Sequence, residues 1–237
     1  MKTFHSLLLI FLLLVASTGY SQTAQEYGQR GYEKYKLQDY SGAIADYNKA
    51  IDIYQKDAKL YCDRGFAKYF LQDYTEAIAD FTKAIEIDSM YEYAYYIRGN
   101  AKYCIKDNNG SIFDLTKAIE IDSKDAAPYS LRGAAKSELQ DYAGAIGDCT
   151  KSIEIDSTYA TAYYARGDAK YYLTDYSGSI ADFTKAIEID SMYVEAYYGR
   201  GHAKIAIGQK DCGCLDLNKA GELGHASAYQ AIKEFCQ

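Results

Sequence analysis

An Arg-Gly dipeptide recurs six times along this chain at a constant interval of 34 residues, with no insertion or deletion between the copies. The six copies are Arg30-Gly31, Arg64-Gly65, Arg98-Gly99, Arg132-Gly133, Arg166-Gly167 and Arg200-Gly201. A strict period of this length is typical of repeat proteins, in which one small structural unit is stacked on the next. Such a stack offers an extended surface instead of an enclosed pocket, so the repeat constrains both the fold and the kind of function.

Each repeat contains two segments whose apolar residues recur at helical spacing. In the second repeat they run from Tyr61 to Leu71 and from Ala77 to Ile87, and Asp73-Tyr74-Thr75 separates them. This spacing predicts two short helices joined by a turn. We expect Asp73 to cap the second helix and Glu76 to complete a reciprocal capping box.

The positions that repeat resemble the tetratricopeptide repeat. A large aromatic residue recurs at Tyr27, Tyr61, Tyr95, Tyr129, Tyr163 and Tyr197, and a glycine follows each of them four residues later. A small residue opens the second helix at Ala43, Ala77, Ser111, Ala145 and Ser179. The resemblance implies an all-α fold, a right-handed α-solenoid of six 34-residue helix-turn-helix repeats with a C-terminal capping helix. The small residues let the two helices of a repeat approach closely.

The predicted domain boundaries follow from this period. Residues 1–21 form a signal peptide, residues 22–227 hold the six repeats, and residues 228–237 form the cap helix. The repeats are placed at 24–57, 58–91, 92–125, 126–159, 160–193 and 194–227.

The amino terminus reads as a secretory signal. Lys2 precedes an uninterrupted apolar run from Leu7 to Ala16, and the small residues Gly19 and Ser21 follow it. This order predicts cleavage after Ser21 and a secreted or periplasmic protein. A run of ten apolar residues is about half of the ~20 needed to span a bilayer, so no membrane insertion is expected after cleavage.

Charge argues against nucleic acid as a partner. Without Lys2 the chain holds 25 basic and 33 acidic residues, and an acidic protein is poorly suited to bind phosphate backbones. Each repeat also carries an Arg and, four residues later, a Lys on one helix, a pairing of like charges that is unfavourable on its own. Because an Asp recurs sixteen residues after each Arg, we predict an internal ladder of Arg–Asp ion pairs.

By resemblance to the family, the first helices line a concave face that holds peptides. The helical phase assigns fifteen residues to this groove, and it places Cys62 and Ser130 on the same face. The fifteen are Phe66, Tyr69, Phe70, Tyr93, Tyr96, Asn100, Tyr103, Ala134, Ser137, Tyr164, Asp168, Tyr171, Tyr172, Tyr198 and His202. Ala134 and Ser137 form a predicted patch of small residues between two Tyr-rich walls, Tyr96 with Tyr103 and Tyr164 with Tyr171. Tyrosine suits interfaces because it combines a large contact area with a polar tip.

These features predict an exported scaffold that binds a segment of another protein in the Tyr-rich groove. Two alternatives stay open: tyrosine rings also stack on sugars, so the protein could bind glycans, or it could assemble with itself as a structural protein. A subclass of the family clamps C-terminal carboxylates with a Lys and an Asn on one first helix. The matching places here hold Gly28 and Tyr32, or Cys62 and Phe66, so this clamp is absent.

The six cysteines suggest one disulfide and no catalytic or metal site. Cys214 with Cys236 is the best pair, because it would join the cap helix to the last repeat, and Cys212 with Cys236 is second. Cys149 replaces a core aromatic residue and is expected to be a buried thiol. Cys212, Cys214, Cys236 and His225 could be considered as metal ligands, but a Cys-x-Cys pair on a helix aims its sulfurs poorly at one ion. No nucleophile has a local motif and no phosphate loop occurs, so we expect neither an enzyme nor a cofactor.

Overall fold

The computed structural model describes residues 23–236, and every regular element in this range is an α-helix. The predicted signal peptide, its cleavage site and Gln237 lie outside the described residues. The helices are α1 (residues 23–36), α2 (Tyr40–Ile53), α3 (Ala58–Phe70), α4 (Tyr74–Ile87), α5 (Glu92–Cys104), α6 (Asn108–Ile121), α7 (Ala126–Glu138), α8 (Tyr142–Ile155), α9 (Ala160–Tyr172), α10 (Tyr176–Ile189), α11 (Val194–Ala206), α12 (Lys210–Glu222) and α13 (Ala228–Phe235). The predicted fold class, an all-α solenoid of helix-turn-helix repeats, is confirmed.

The helices form two compact units. The first unit ends at Asp107 and holds α1 to α5, and the second begins at Asn108 and holds α6 to α13. The division therefore falls inside the third predicted repeat, residues 92–125. Within each unit the two helices of a repeat pack together, and each second helix also packs on the first helix of the next repeat.

The second helix of a repeat begins earlier than the apolar pattern predicts. Helix α4 starts at Tyr74 instead of Ala77, because Asp73 Oδ1 accepts a hydrogen bond from Glu76 N at 3.4 Å. The predicted reciprocal bond is wrong. Asp73 N donates to Lys68 O at 3.0 Å, and the Glu76 carboxylate pairs with Lys68 Nζ at 3.3 Å. The turn has already used the backbone donor that a capping box needs.

Small residues set the distance between paired helices. A Cβ atom added to Gly65 would lie 2.8 Å from Phe81 Cε1. One added to Gly133 would lie 2.6 Å from Cys149 Sγ and 3.1 Å from the backbone oxygen of Ala145. The predicted close approach at these glycines is confirmed, and any side chain there would force the hairpin apart.

One position of the second helix fills the core of each repeat, at the same 34-residue interval. These residues are Tyr47, Phe81, Leu115, Cys149, Phe183 and Leu217, and none is more than 1% exposed. Cys149 is the buried thiol that was predicted, and burial raises its pKa to about 12.

The predicted ion-pair ladder is present within single repeats. Arg132 Nε and Nη2 donate to the two carboxylate oxygens of Asp148 at 2.8 and 2.6 Å, and Lys136 Nζ lies 2.8 Å from Oδ2. The Asp residues of the ladder are buried: Asp46, Asp80, Asp114, Asp148, Asp182 and Asp216. At Asp46, Asp80, Asp148, Asp182 and Asp216 the carboxylate binds both an Arg and a Lys, so it offsets the repulsion between these two like charges.

The same Arg side chains also link successive repeats. Arg132 Nη1 donates to Thr116 Oγ1 at 3.0 Å, and Arg98 Nη1 donates to Thr82 Oγ1 at 3.0 Å. The Arg132 guanidinium also lies over the ring of Tyr129, 5.7 Å from its centroid. The recurring tyrosine therefore serves as a cation–π partner as well as packing material.

Helix α13 closes the last repeat. It packs against α12, its Ala228 and Ala231 are buried, and a disulfide joins Cys214 to Cys236 with the Cα atoms 5.8 Å apart. This is the pair that the sequence favoured. Cys212, the alternative partner, is an exposed free thiol.

Candidate functional site: the first-helix face

In each unit, the first-helix face is the set of side chains that the first helices present outside the helix contacts. These helices are α3 and α5 in the first unit and α7, α9 and α11 in the second. All fifteen predicted groove residues lie on these helices, and none of them is buried. Phe70, Tyr93 and Tyr172 are the most open, with 44%, 41% and 57% of their surface exposed. Large aromatic side chains left open to water in this way are typical of binding surfaces.

Two residues assigned to this face by phase are buried instead. Cys62 and Ser130 are each 1% exposed. Cys62 lies against Tyr91, and burial raises the pKa of its thiol to about 12. The phase of a residue around one helix does not show whether other parts of the fold cover it.

In the first unit, Phe66 is the centre of an aromatic cluster. Its ring lies 5.0 Å from Phe70, edge to face, and 5.5 Å from Tyr35 of α1. It also contacts Tyr69 and Tyr93, both at 6.2 Å. Burial raises the pKa of Tyr93 to about 12. Several predicted groove residues of this unit therefore pack against one another, and part of their ring surface is not available to a ligand.

The polar residues of the same face form a short network. Tyr69 Oη donates to Asn100 Oδ1 at 3.4 Å and lies 3.5 Å from Cys104 Sγ. Burial, followed by the nearby Cys104 thiol, raises the pKa of Tyr69. This contact links α3 to α5.

The first unit also contains a cleft that the sequence prediction missed. It has a volume of about 710 Å³ and lies between α1, α3 and the turn after α2. Its polar groups include Lys59 and Asp63, which pair at 2.5 Å, and half-exposed Tyr32 and Tyr54 form its walls. Burial raises the pKa of Asp63 while Lys59 opposes that shift. The sequence did carry a signal for this cleft, because Tyr32 of the first repeat has the same helical phase as the predicted groove residues.

In the second unit, Tyr172 lies at the centre of the exposed aromatic surface. Its ring stacks on Tyr142 at 5.1 Å with an interplanar angle of 10°, and it meets Tyr171 edge-on at 5.8 Å. Tyr142 is the first residue of α8, and the prediction missed it. The corresponding pair in the first unit, Tyr40 and Phe70, stacks at 5.3 Å. The sequence feature that could have identified Tyr142 is the Asp-Tyr dipeptide that recurs at the start of second helices.

Asp168 differs from the other carboxylates of this face. It lies on α9 one turn before Tyr171 and Tyr172 and is partly buried, and it makes no hydrogen bond or ion pair within residues 23–236. Burial, assisted by the negative charge of Glu138 on α7, raises the pKa of Asp168 to about 6. Asp168 and Tyr172 are four residues apart on α9, so their side chains share one face of the helix. The charge of Asp168 raises the pKa of Tyr172.

Tyr198 and His202 lie under the cap helix. Tyr198 stacks on His225 at 3.9 Å and meets His202 at 4.5 Å, and Phe235 of α13 lies 5.5 Å from His202. Burial lowers the pKa of His202. These two predicted groove residues therefore pack within the cap of the second unit.

The predicted patch of small residues remains a prediction. Tyr96 and Tyr103 belong to the first unit, whereas Ala134, Ser137, Tyr164 and Tyr171 belong to the second. In the second unit Tyr164 packs on Phe183 and Tyr193, at 5.8 and 5.2 Å, so its ring faces partly inward.

The side chains between residues 23 and 236 include no group of three or more His, Cys, Asp or Glu residues placed to hold a metal ion. No helix in that same range is long and apolar enough to cross a membrane.

Paired helices, glycine crossings and a repeated ion-pair ladder define a helical-repeat protein. Two family models agree with this class. One, described as a TPR repeat, matches residues 31–72 and 167–208, and the other, described as a tetratricopeptide repeat, matches residues 58–89. These stretches are tetratricopeptide repeats, as the sequence resemblance implied.

Solved structures share the fold. The crystal structure of MamA is 25% identical, with a TM-score of 0.60, over 73% of this chain and 94% of that one. YrrB, described as a TPR protein with an unusual peptide-binding site, is 21% identical with a TM-score of 0.59, over 79% and 97%. A tetratricopeptide repeat protein from Parabacteroides merdae is 16% identical with a TM-score of 0.69, over 90% and 97%. No curated protein sequence matches the chain at a significant level.

Proposed function

We propose that this protein is an exported scaffold that binds a segment of another protein on its first-helix face. One observation carries the proposal: three predicted groove residues on first helices, Phe70, Tyr93 and Tyr172, leave aromatic rings open to solvent. Stacked hairpins hold these rings in place before binding, so little of the ordering cost falls on the protein. YrrB, which shares the fold, is described with a peptide-binding site.

The proposal includes export. It is supported by the signal-like sequence of residues 1–21 and by the disulfide between Cys214 and Cys236, because such bonds persist in oxidising compartments. Processing can be checked by mass spectrometry of the protein purified from its source cell. A mature chain that begins at Gln22 is expected, and an intact amino terminus in the cytoplasm would contradict export.

The test of binding uses the most exposed rings, so that the fold is preserved. The mature chain is compared with a Phe70→Ala, Tyr93→Ala, Tyr172→Ala variant in pull-downs from the exported fraction of the source cell. Phe113→Ala with Leu215→Ala is the matched control, because these side chains are 59% and 70% exposed on second helices. A protein captured by the wild type and the control but lost by the triple variant is the expected result.

Other outcomes of the same test favour other functions. A partner that all three proteins capture would exclude the first-helix face as the binding surface. Binding to oligosaccharides that Tyr164→Ala or Tyr171→Ala abolishes would instead support glycan binding. A size that rises with concentration in sedimentation would support self-assembly.

A further inference from the structure

The part of the first-helix face formed by α7 and α9 combines exposed aromatic rings with negative charge. Tyr172 is 57% exposed and lies flat against Tyr142, so a single aromatic surface reaches from α8 to α9. Asp168 stands next to this surface, and Glu138 at the end of α7 is the second carboxylate in its neighbourhood. The surface therefore favours a ligand that is both cationic and able to lie on a ring.

The state of Asp168 itself indicates a missing partner. Five ladder carboxylates each bind an Arg and a Lys, namely Asp46, Asp80, Asp148, Asp182 and Asp216. Asp168 has no ion pair within residues 23–236. A partly buried carboxylate without a protein hydrogen-bond donor has lost some of its hydration, and a donor that arrives with a ligand offsets that loss. With a pKa of about 6, Asp168 is mostly ionised at neutral pH and can pair with a cation.

We propose that this surface binds a lysine or arginine side chain of the partner segment, with Asp168 as the pairing carboxylate and Tyr172 as the aromatic surface beside it. The inference rests on the proposed function, and it specifies the chemistry of the partner. A metal ion fits less well, since residues 23–236 hold no group of three suitable ligands. The net charge of the mature chain, with 33 acidic against 25 basic residues, also favours a basic partner.

The first experiment selects ligands without assuming their sequence. A library of random 12-residue peptides displayed on phage is panned in parallel against the mature wild-type chain and the Asp168→Asn variant. Wild-type selection is expected to enrich peptides with Lys or Arg at a fixed distance from an apolar anchor. Selection on Asp168→Asn is expected to keep the anchor and lose the basic residue.

The second experiment measures the pair directly. One peptide selected on the wild type is synthesised with its basic residue intact or replaced by Gln, and both are titrated into each protein by calorimetry. Asp168→Asn is expected to raise the Kd of the basic peptide at least tenfold and to change the Kd of the Gln peptide by less than twofold. Glu154→Gln is the matched control, since it removes one negative charge at an exposed position of α8 in the same unit. It should change neither Kd by more than twofold.

The outcomes separate the two proposals. Peptides selected without a basic residue, or a basic peptide that binds Asp168→Asn as tightly as the wild type, would overturn the inference and leave the scaffold function standing. Selection of no peptide by either protein would contradict both. Circular dichroism of each variant verifies that a loss of binding is not a loss of fold.

Discussion

Arg166 and Asp182 meet through two parallel hydrogen bonds, Nε to Oδ2 at 2.9 Å and Nη2 to Oδ1 at 2.7 Å, across the two helices of one repeat. A third donor, Nη1, reaches Thr150 Oγ1 of the preceding repeat at 3.2 Å. One side chain thus ties a hairpin internally and joins it to its neighbour. The planar guanidinium makes this possible, because its donors point in fixed and different directions.

Removal of the ladder carboxylate should be costly. Asp182→Ala leaves Arg166 and Lys170, whose side chains are 17% and 22% exposed, without their acceptor. We expect the free energy of unfolding to fall by about 3–5 kcal/mol. Urea denaturation measures this change. Glu188→Ala, which breaks an exposed pair with Lys185, is the control and should cost less than about 0.5 kcal/mol. Equal effects for the two variants would show that the ladder does not stabilise the fold.

Two glycines of the fourth repeat should respond oppositely to alanine. Gly133→Ala places a Cβ against Cys149 Sγ and the backbone of α8, so it should destabilise the protein by about 1–3 kcal/mol. Gly147 lies in the interior of α8, with nothing within 4 Å of an added Cβ, so Gly147→Ala should stabilise by about 0.5–1 kcal/mol. Thermal denaturation compares the two variants. A destabilised Gly147→Ala would mean that its surroundings are tighter than the structure shows.

Loss of the disulfide should act on the cap helix. The double change Cys214→Ser, Cys236→Ser opens a link between residues 22 apart in sequence, which the entropy model values at roughly 3 kcal/mol. Hydrogen exchange should accelerate in α13 first, because its eight residues are too few to stay helical alone. Cys212→Ser removes an exposed free thiol and is the control. Unchanged exchange in α13 would show that packing alone holds the cap.

Asp168 should make stability depend on pH in an unusual direction. Its folded pKa of about 6 lies above the unfolded value of about 3.9, so between these values the folded state holds a proton that the unfolded state has lost. Stability therefore falls as pH rises from about 4 to about 6, and above that range the ionised group costs about 2–3 kcal/mol.

The corresponding variant separates this effect from other titrations. Asp168→Asn should be more stable than the wild type at pH 7.5 by about 2–3 kcal/mol, and the difference should shrink towards zero near pH 4. Denaturant midpoints at a series of pH values provide the measurement. A constant difference across this range would show that burial does not shift Asp168. A gain at neutral pH would indicate that Asp168 is kept at the expense of stability, as expected of a binding residue.

The repeat interval, the two helices per repeat, the glycine crossings and the Arg–Asp ladder were all predictable from the sequence. Each depends on positions within one hairpin or on one helix, where the spacing of residues fixes which side chains can meet. The pairing of Cys214 with Cys236 followed in the same way, because a single short helix separates the last repeat from Cys236.

Contacts between neighbouring repeats were decided only by the tertiary structure. Cys62 and Ser130 have the same helical phase as the open groove residues, yet both are buried in the folded chain. Tyr142, at the start of α8, joins the aromatic surface because it stacks on Tyr172 of the next repeat. His202 does not, because it packs against Phe235 of α13. A helical phase gives the direction of a side chain around its own axis, whereas exposure also depends on what the neighbouring helices place in front of it. For this reason the unpaired state of Asp168, on which the proposed partner chemistry rests, could not be read from the sequence.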